Sequence, residues 1–207
     1  KSSQVIGDYD LSQLKNDYMS LFVDARMDTF DDGYFPTKGV TAGASYAWTF
    51  EGFPHEMQRF QTVQADVKTV VPIGESVAFI PSLNCRFLIG LDIPIAYFNA
   101  MGGSMPGRYV DQQMPFVGIT NLTAMKNILT TFRTDFRFRV VKNHYITGIV
   151  NYARHCDSFV DYTKGLGYFG AGLEYAFDTI FGPLTANIHW SNLTRRVGVY
   201  ISAGYNF

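Results

Sequence analysis

The chain has 207 residues, 17 basic and 18 acidic, for a net charge of −1. No basic block is present, so nucleic acid is not an expected partner. Aromatic residues make up 16% while the mean hydropathy is only −0.01. No stretch approaches the roughly 18 consecutive apolar residues of a transmembrane helix. The length suits one domain.

In chain order, residues 1–16 read as a leading segment or partial strand. Met19, Leu21, Val23, Ala25 and Met27 then make an apolar face opposite Ser20, Asp24, Arg26 and Asp28. Such period-two alternation is the mark of a strand between two media. It recurs at Val40 to Phe50, at Val63 to Val71 opposite Gln64, Asp66 and Lys68, and at Val77 to Phe87 opposite Ser82, Asn84 and Arg86. Residues from about Gly90 to Thr123, rich in Gly and Pro, break the rhythm and form the longest connection. A loop of that length is usually functional or disordered.

Alternation resumes with Phe132, Phe136, Phe138 and Val140 opposite Arg133, Asp135, Arg137 and Arg139. It is weaker from Tyr145 to Arg154, then clear again at Phe169 to Phe177, opposite Glu174, and at Leu184 to Trp190. The chain ends on Val197 to Phe207, apolar and polar residues alternating up to Tyr205 and Phe207. An amphipathic terminal strand with an aromatic last residue is what a bacterial outer-membrane β-barrel needs for closure. The expected fold is therefore all-β, an antiparallel transmembrane barrel of about nine strands. The alternatives are a soluble sandwich or ligand-binding β-barrel.

If one face meets lipid, the charges of the other must line a lumen. Asp24, Arg26, Asp66, Lys68, Arg86, Arg133, Asp135, Arg137, Arg139 and Glu174 are the expected lumen charges. The four on one strand, Arg133 to Arg139, would be a cationic stripe, either ion-paired with Asp24, Asp66 or Glu174 on other strands or facing an anionic partner.

Several segments resemble the carboxyl-terminal part of the BamA-type superfamily of outer-membrane barrels. Asp28 to Gly39 resembles its D-x-x-D-x-G-Y-F-P-T-x-G turn. Phe98-Asn99-Ala100-Met101-Gly102-Gly103-Ser104 resembles the F-x-x-G-G-S start of its long loop. Gly182-Pro183-Leu184 resembles its penultimate hairpin turn. The resemblance covers about residue 17 to the end. It implies a barrel domain over 17–207, whose loop at about 90–123 turns into the lumen. In the superfamily that loop lies between strands eleven and twelve of sixteen. Five strands follow it here, so the chain is expected to be the second half of such a barrel. The alternative is a small complete barrel with residues 1–16 as a tenth strand.

The family's R-G-[FY] element reads Arg108-Tyr109-Val110 here. The resemblance makes Gly102, Gly103, Arg108 and Tyr109 the loop motif, and puts Asn151 nearest to the aspartate that pairs with the arginine; a neutral partner weakens that ion pair. It further implies membrane anchoring with protein translocation or insertion in the bacterial outer membrane. The implied partners are lipid, the assembly machinery reading the strand of Tyr205 and Phe207, and periplasmic domains or other subunits. Gly107 to Phe116 is similar to a subgroup whose barrel follows a patatin-like phospholipase domain, so a catalytic domain outside this chain is an alternative. A patatin domain needs a G-x-S-x-G elbow. Here Gly102-Gly103-Ser104-Met105-Pro106-Gly107 sets the closing glycine one residue late. His55, His144, His155 and His189 lack ligand spacing, and Cys85 and Cys156 lack that of a metal or redox pair. No catalytic residue, metal or cofactor is expected.

Overall fold

The computed structural model describes residues 17–51, 59–91, 93–103, 110 and 112–204. The first four strands are β1 (Tyr18–Asp28), β2 (Gly39–Glu51), β3 (Arg59–Ile73) and β4 (Val77–Gly90). Three short strands follow inside the long connection: β5 (Asn99–Met101), β6 (Gln113–Met114) and β7 (Thr123–Met125). Then come β8 (Ile128–Val141), β9 (His144–Cys156), β10 (Leu166–Thr179), β11 (Gly182–Ser191) and β12 (Val197–Ala203).

The long strands make one 9-stranded antiparallel sheet in the order β1-β2-β3-β4-β8-β9-β10-β11-β12. Each strand pairs with its neighbours in the chain, as in an up-and-down barrel wall. Most are as long as the roughly 9–11 residues a tilted strand needs to cross a bilayer. Among the described residues β1 and β12 pair on one side only, and the sheet is not closed.

The register sorts the two faces. Leu83, Phe132, Val150, Leu173 and Ile188 lie on the outer face with Phe136, Phe138 and Trp190, and all are exposed. Apolar side chains that stay exposed along a whole wall belong against lipid. The inner face carries Lys68, Arg133, Asp135, Asn151, Glu174 and His189. One departure from alternation is Phe22, which shares the inner face with Ser20 and Asp24 and is 74% exposed.

At one end of the wall the connections are short: Gly74 to Ser76, Lys142-Asn143 and Ile180-Phe181. The long connection, the one from β9 to β10 and the one from β11 to β12 are at the other end. The long connection runs to Asn127, beyond the expected Thr123, because Thr123–Met125 pairs with β5 inside the loop instead of extending β8.

Candidate functional site

The described parts of the connection from Leu91 to Asn127 lie against the inner wall. Its first part packs Ile93, Tyr97 and Phe98 on Phe60 and Leu88, with the Tyr97 ring 4.8 Å from that of Phe60 and 5.7 Å from that of Tyr18. The loop is then tied down at Asn99, which is wholly buried. Arg86 Nη1 donates to Asn99 Oδ1 at 2.6 Å and to the Tyr97 carbonyl at 3.1 Å. Asn99 Nδ2 donates to the carbonyls of Lys126 (2.7 Å) and Asn127 (2.9 Å), so one side chain joins the start of the loop to its end. Arg86, expected as a lumen charge, is thus a buried strut, its guanidinium held by carbonyl oxygens.

Gly102 and Gly103 carry positive φ angles of 139° and 72°, and the Asn121 carbonyl occupies the space that a Gly102 side chain would need. The two glycines let the chain reverse, with Gly102 N–H donating to the Met114 carbonyl and Gly103 N–H to that of Ile119. Met101, Met114, Phe116, Ile119 and Met125 then bury against Leu129 of β8 and Ala153 of β9.

The returning segment, Phe116 to Thr120, is gripped by β9 to β11 over a floor of glycines. Asn151, 1% exposed, accepts from Val117 N–H at 2.8 Å and donates to the Val117 carbonyl at 3.1 Å. Ser191 and Thr194 hydroxyls both donate to the Gly118 carbonyl, at 2.8 and 3.1 Å. Thr120 Oγ1 and His189 Nε2 are 3.2 Å apart. Gly170 and Gly172 lie beneath. A β-carbon on Gly170 would collide with the Val117 carbonyl, and one on Gly172 would come 2.6 Å from Val117 Cγ1. Buried polar groups that are fully paired fix a single arrangement.

The remaining charges expected to face a lumen are held in different ways. Arg133 pairs with Asp135 through two bonds of 2.7 and 2.8 Å. This corrects the expected pairing with Asp24, Asp66 or Glu174 on other strands: residues two apart share a face within reach of an arginine fork. Lys68 and Glu174 face that pair from β3 and β10 and act on it electrostatically, and Asn187 donates to Glu174 at 3.4 Å. Arg26 pairs with Asp24 at 3.1 Å, both in the open, and the Asp66 carboxylate lies over Gly43. Arg139 donates to the Glu75 carbonyl at 2.8 Å, at the short-turn end. The expected cationic stripe is thereby divided among an acid on its own strand and two carbonyls.

The second of those carbonyls belongs to Pro36, to which buried Arg137 donates. The turn from Thr29 to Lys38 crosses the inner side of the sheet. Phe30 packs on Val70, Ala78 and Ile80. Phe35 stacks on Tyr145 at 4.2 Å, with the Arg137 guanidinium 5.8 and 5.7 Å from the two rings. Its shape comes from its acids: Asp32 accepts from the N–H groups of Tyr34 and Phe35, and Asp31 from those of Thr37 and Lys38. The strap thus covers the inner face at the short-turn end, as the described parts of the long loop cover it toward the other.

The Thr37 hydroxyl, helped by these amides, pulls the Asp31 carboxyl down to about 2. With the folded value depressed, its contribution to the turn is present above the ordinary carboxylate range and lost as pH falls through about 2. An NMR titration of the Asp31 carboxyl should give a midpoint near 2; one at the ordinary 3.8 would contradict the hydrogen-bonded turn.

Of the expected loop motif, Gly102 and Gly103 are at the reversal, while Arg108 and Tyr109 lie outside the described residues, as do Tyr205 and Phe207. Asn151 does meet the loop, through Val117. Sequence reasoning missed the tie at Asn99 and the loop contacts of Gly170, Gly172 and Ser191. The available signal was a G-x-G pair on the inward positions of β10, where a side chain would otherwise point inward. Among the described residues no group of three or more His, Cys, Asp or Glu could hold a metal.

No protein of curated function matches the sequence. The family model for the OMP85 superfamily matches residues 4–207, nearly the whole chain, and its members are bacterial outer-membrane proteins. A lipid-facing antiparallel wall with a loop folded against its inner face is thereby accounted for: the chain belongs to the OMP85 superfamily.

Proposed function

We propose that this wall anchors the protein in the outer membrane and lines a protein translocation or insertion pore, gated from within by the long loop. The observation that supports this reading is the grip on Val117 and Gly118. The segment crossing the inner face is held by a few hydrogen bonds and close packing, which can be broken and remade, with no covalent tie. The strap pinned by Arg137 would close the opposite mouth. Between them, Lys68, Arg133, Asp135 and Glu174 would give a hydrated chamber of mixed charge, suited to passing polar chain without holding it.

Unpaired strand edges are not tolerated in hydrocarbon, and among the described residues β1 and β12 each pair on one side only, so this reading calls for further strands beside them. Seven more would complete the sixteen that the family resemblance implies. Tyr205 and Phe207 would serve the assembly machinery as the signal on the closing strand. Any pairing of Arg108 with Asn151 would have to compete with the Val117 amide for the same carbonyl oxygen.

The test is ion conductance of the full-length protein in planar bilayers. Asn151→Ala strands the buried N–H and carbonyl of Val117, at about 1–3 kcal/mol for each unsatisfied group. It should raise open probability well above that of the parent. Unchanged conductance with the loop still protected from protease would remove the gating role.

A further inference from the structure

Along the wall, outward-facing apolar side chains such as Phe132, Val150 and Tyr152 are exposed. At the long-loop rim two outward positions are not. Phe87, Ile128 and Cys156 share one register row on the outer face of β4, β8 and β9, yet Ile128 is 2% and Cys156 3% exposed. The connection from Asp157 to Gly165 covers them, folding outward over the wall instead of upward from it. The Phe159 ring meets that of Phe87 edge-on at 5.1 Å. Tyr162 Oη is 2.6 Å from Thr130 Oγ1. Arg154, also outward-facing, donates to the carbonyls of Gly165 and Thr163, with its guanidinium 5.6 Å from the Tyr162 ring.

A segment pinned this way has one side against protein and the other on the surface that the wall presents to lipid. The segment exposes Phe159, 58%, and Val160, 87%, and both Asp161 and Lys164 of its short helix are exposed as well. We propose that this connection is a lipid-docking collar. Val160 and Phe159 enter the boundary between acyl chains and headgroups at the long-loop rim, and the Lys164 ammonium meets headgroup phosphate. Lipid is the occupant because the segment is packed on the outward side of the wall, at Phe87 and Thr130, the same side that exposes Phe132, Val150 and Tyr152. An apolar tip with a cation beside it is the arrangement that interfacial segments use.

The test uses the full-length protein in vesicles of phosphatidylcholine and phosphatidylglycerol. Every tryptophan, Trp48 and Trp190 among them, is replaced by phenylalanine, and Val160→Trp then supplies the single tryptophan. Its emission should be blue-shifted, mostly lost when the phosphatidylcholine is brominated, and little affected by aqueous acrylamide. Lys164→Glu should weaken the bromolipid quenching. Emission quenched by acrylamide and not by bromolipid would place the collar in water. Emission shielded from both would mean that protein covers it. Either result overturns the proposal. A parent retaining Trp190 alone, an outward wall residue, reports correct insertion, and Phe159→Trp is a second probe should the first variant fail to fold.

Discussion

Gly170→Val is expected to drive the long loop off the inner wall. Its first added carbon would collide with the Val117 carbonyl and lie 2.5 Å from Asn151 Nδ2 and 2.9 Å from the Phe116 ring. Overpacking a tight site costs about 1–3 kcal/mol. Here the obstacles are the backbone and the side chain that grips it, so neither can give way without breaking the contact. The cost should fall at the top of that range. The strands themselves are untouched, so the barrel should still assemble while its loop becomes open to protease and its conductance rises. Gly148→Val is the matched control, because nothing lies within 4 Å of a β-carbon there; it should behave as the parent does.

Asn99→Leu should weaken the wall where the loop leaves and rejoins it. Leucine has nearly the same shape but returns none of the bonds. The Arg86 guanidinium loses its 2.6 Å acceptor, and the carbonyls of Lys126 and Asn127 lose their donor. Stranding a buried neutral polar group costs about 1–3 kcal/mol and a charged one more, so the β4–β8 junction should open first. Loss of the heat-resistant folded band on gels, at a clearly lower temperature than for the parent, checks this. Asn99→Asp should fall between the two, since it keeps an acceptor for Arg86 but sets a carboxylate against two carbonyls.

Most of the wall could be read in advance, because each long strand separates lipid from a polar interior and alternation follows from that. β9 was the weak stretch for a physical reason. The loop covers its inner face, so Ile149 and Ala153 are apolar there while Ile146, Val150 and Tyr152 are apolar outside, and the contrast between faces is lost. The three short strands within the loop are too brief to show a period, which put its expected end at Thr123. The grip was the least legible part. Asn151 and Val117 are 34 residues apart, and the value of Gly170 lies in what it leaves empty. The motif residues Gly102 and Gly103 fall where the chain reverses, and Asn151 meets the loop through a backbone amide and carbonyl.

The returning segment of the loop sits on β10, on the inner side of the wall. Val117→Cys combined with Gly172→Cys tests this most directly. A β-carbon on Gly172 comes 2.6 Å from Val117 Cγ1, within reach of a disulfide given the tight geometry such a bond requires. The protein should form the cross-link spontaneously in cells, seen as a mobility shift on non-reducing gels that neither single variant shows. A double variant that stays reduced, with the cysteine at 117 labelled rapidly by a membrane-impermeant maleimide, would contradict the account.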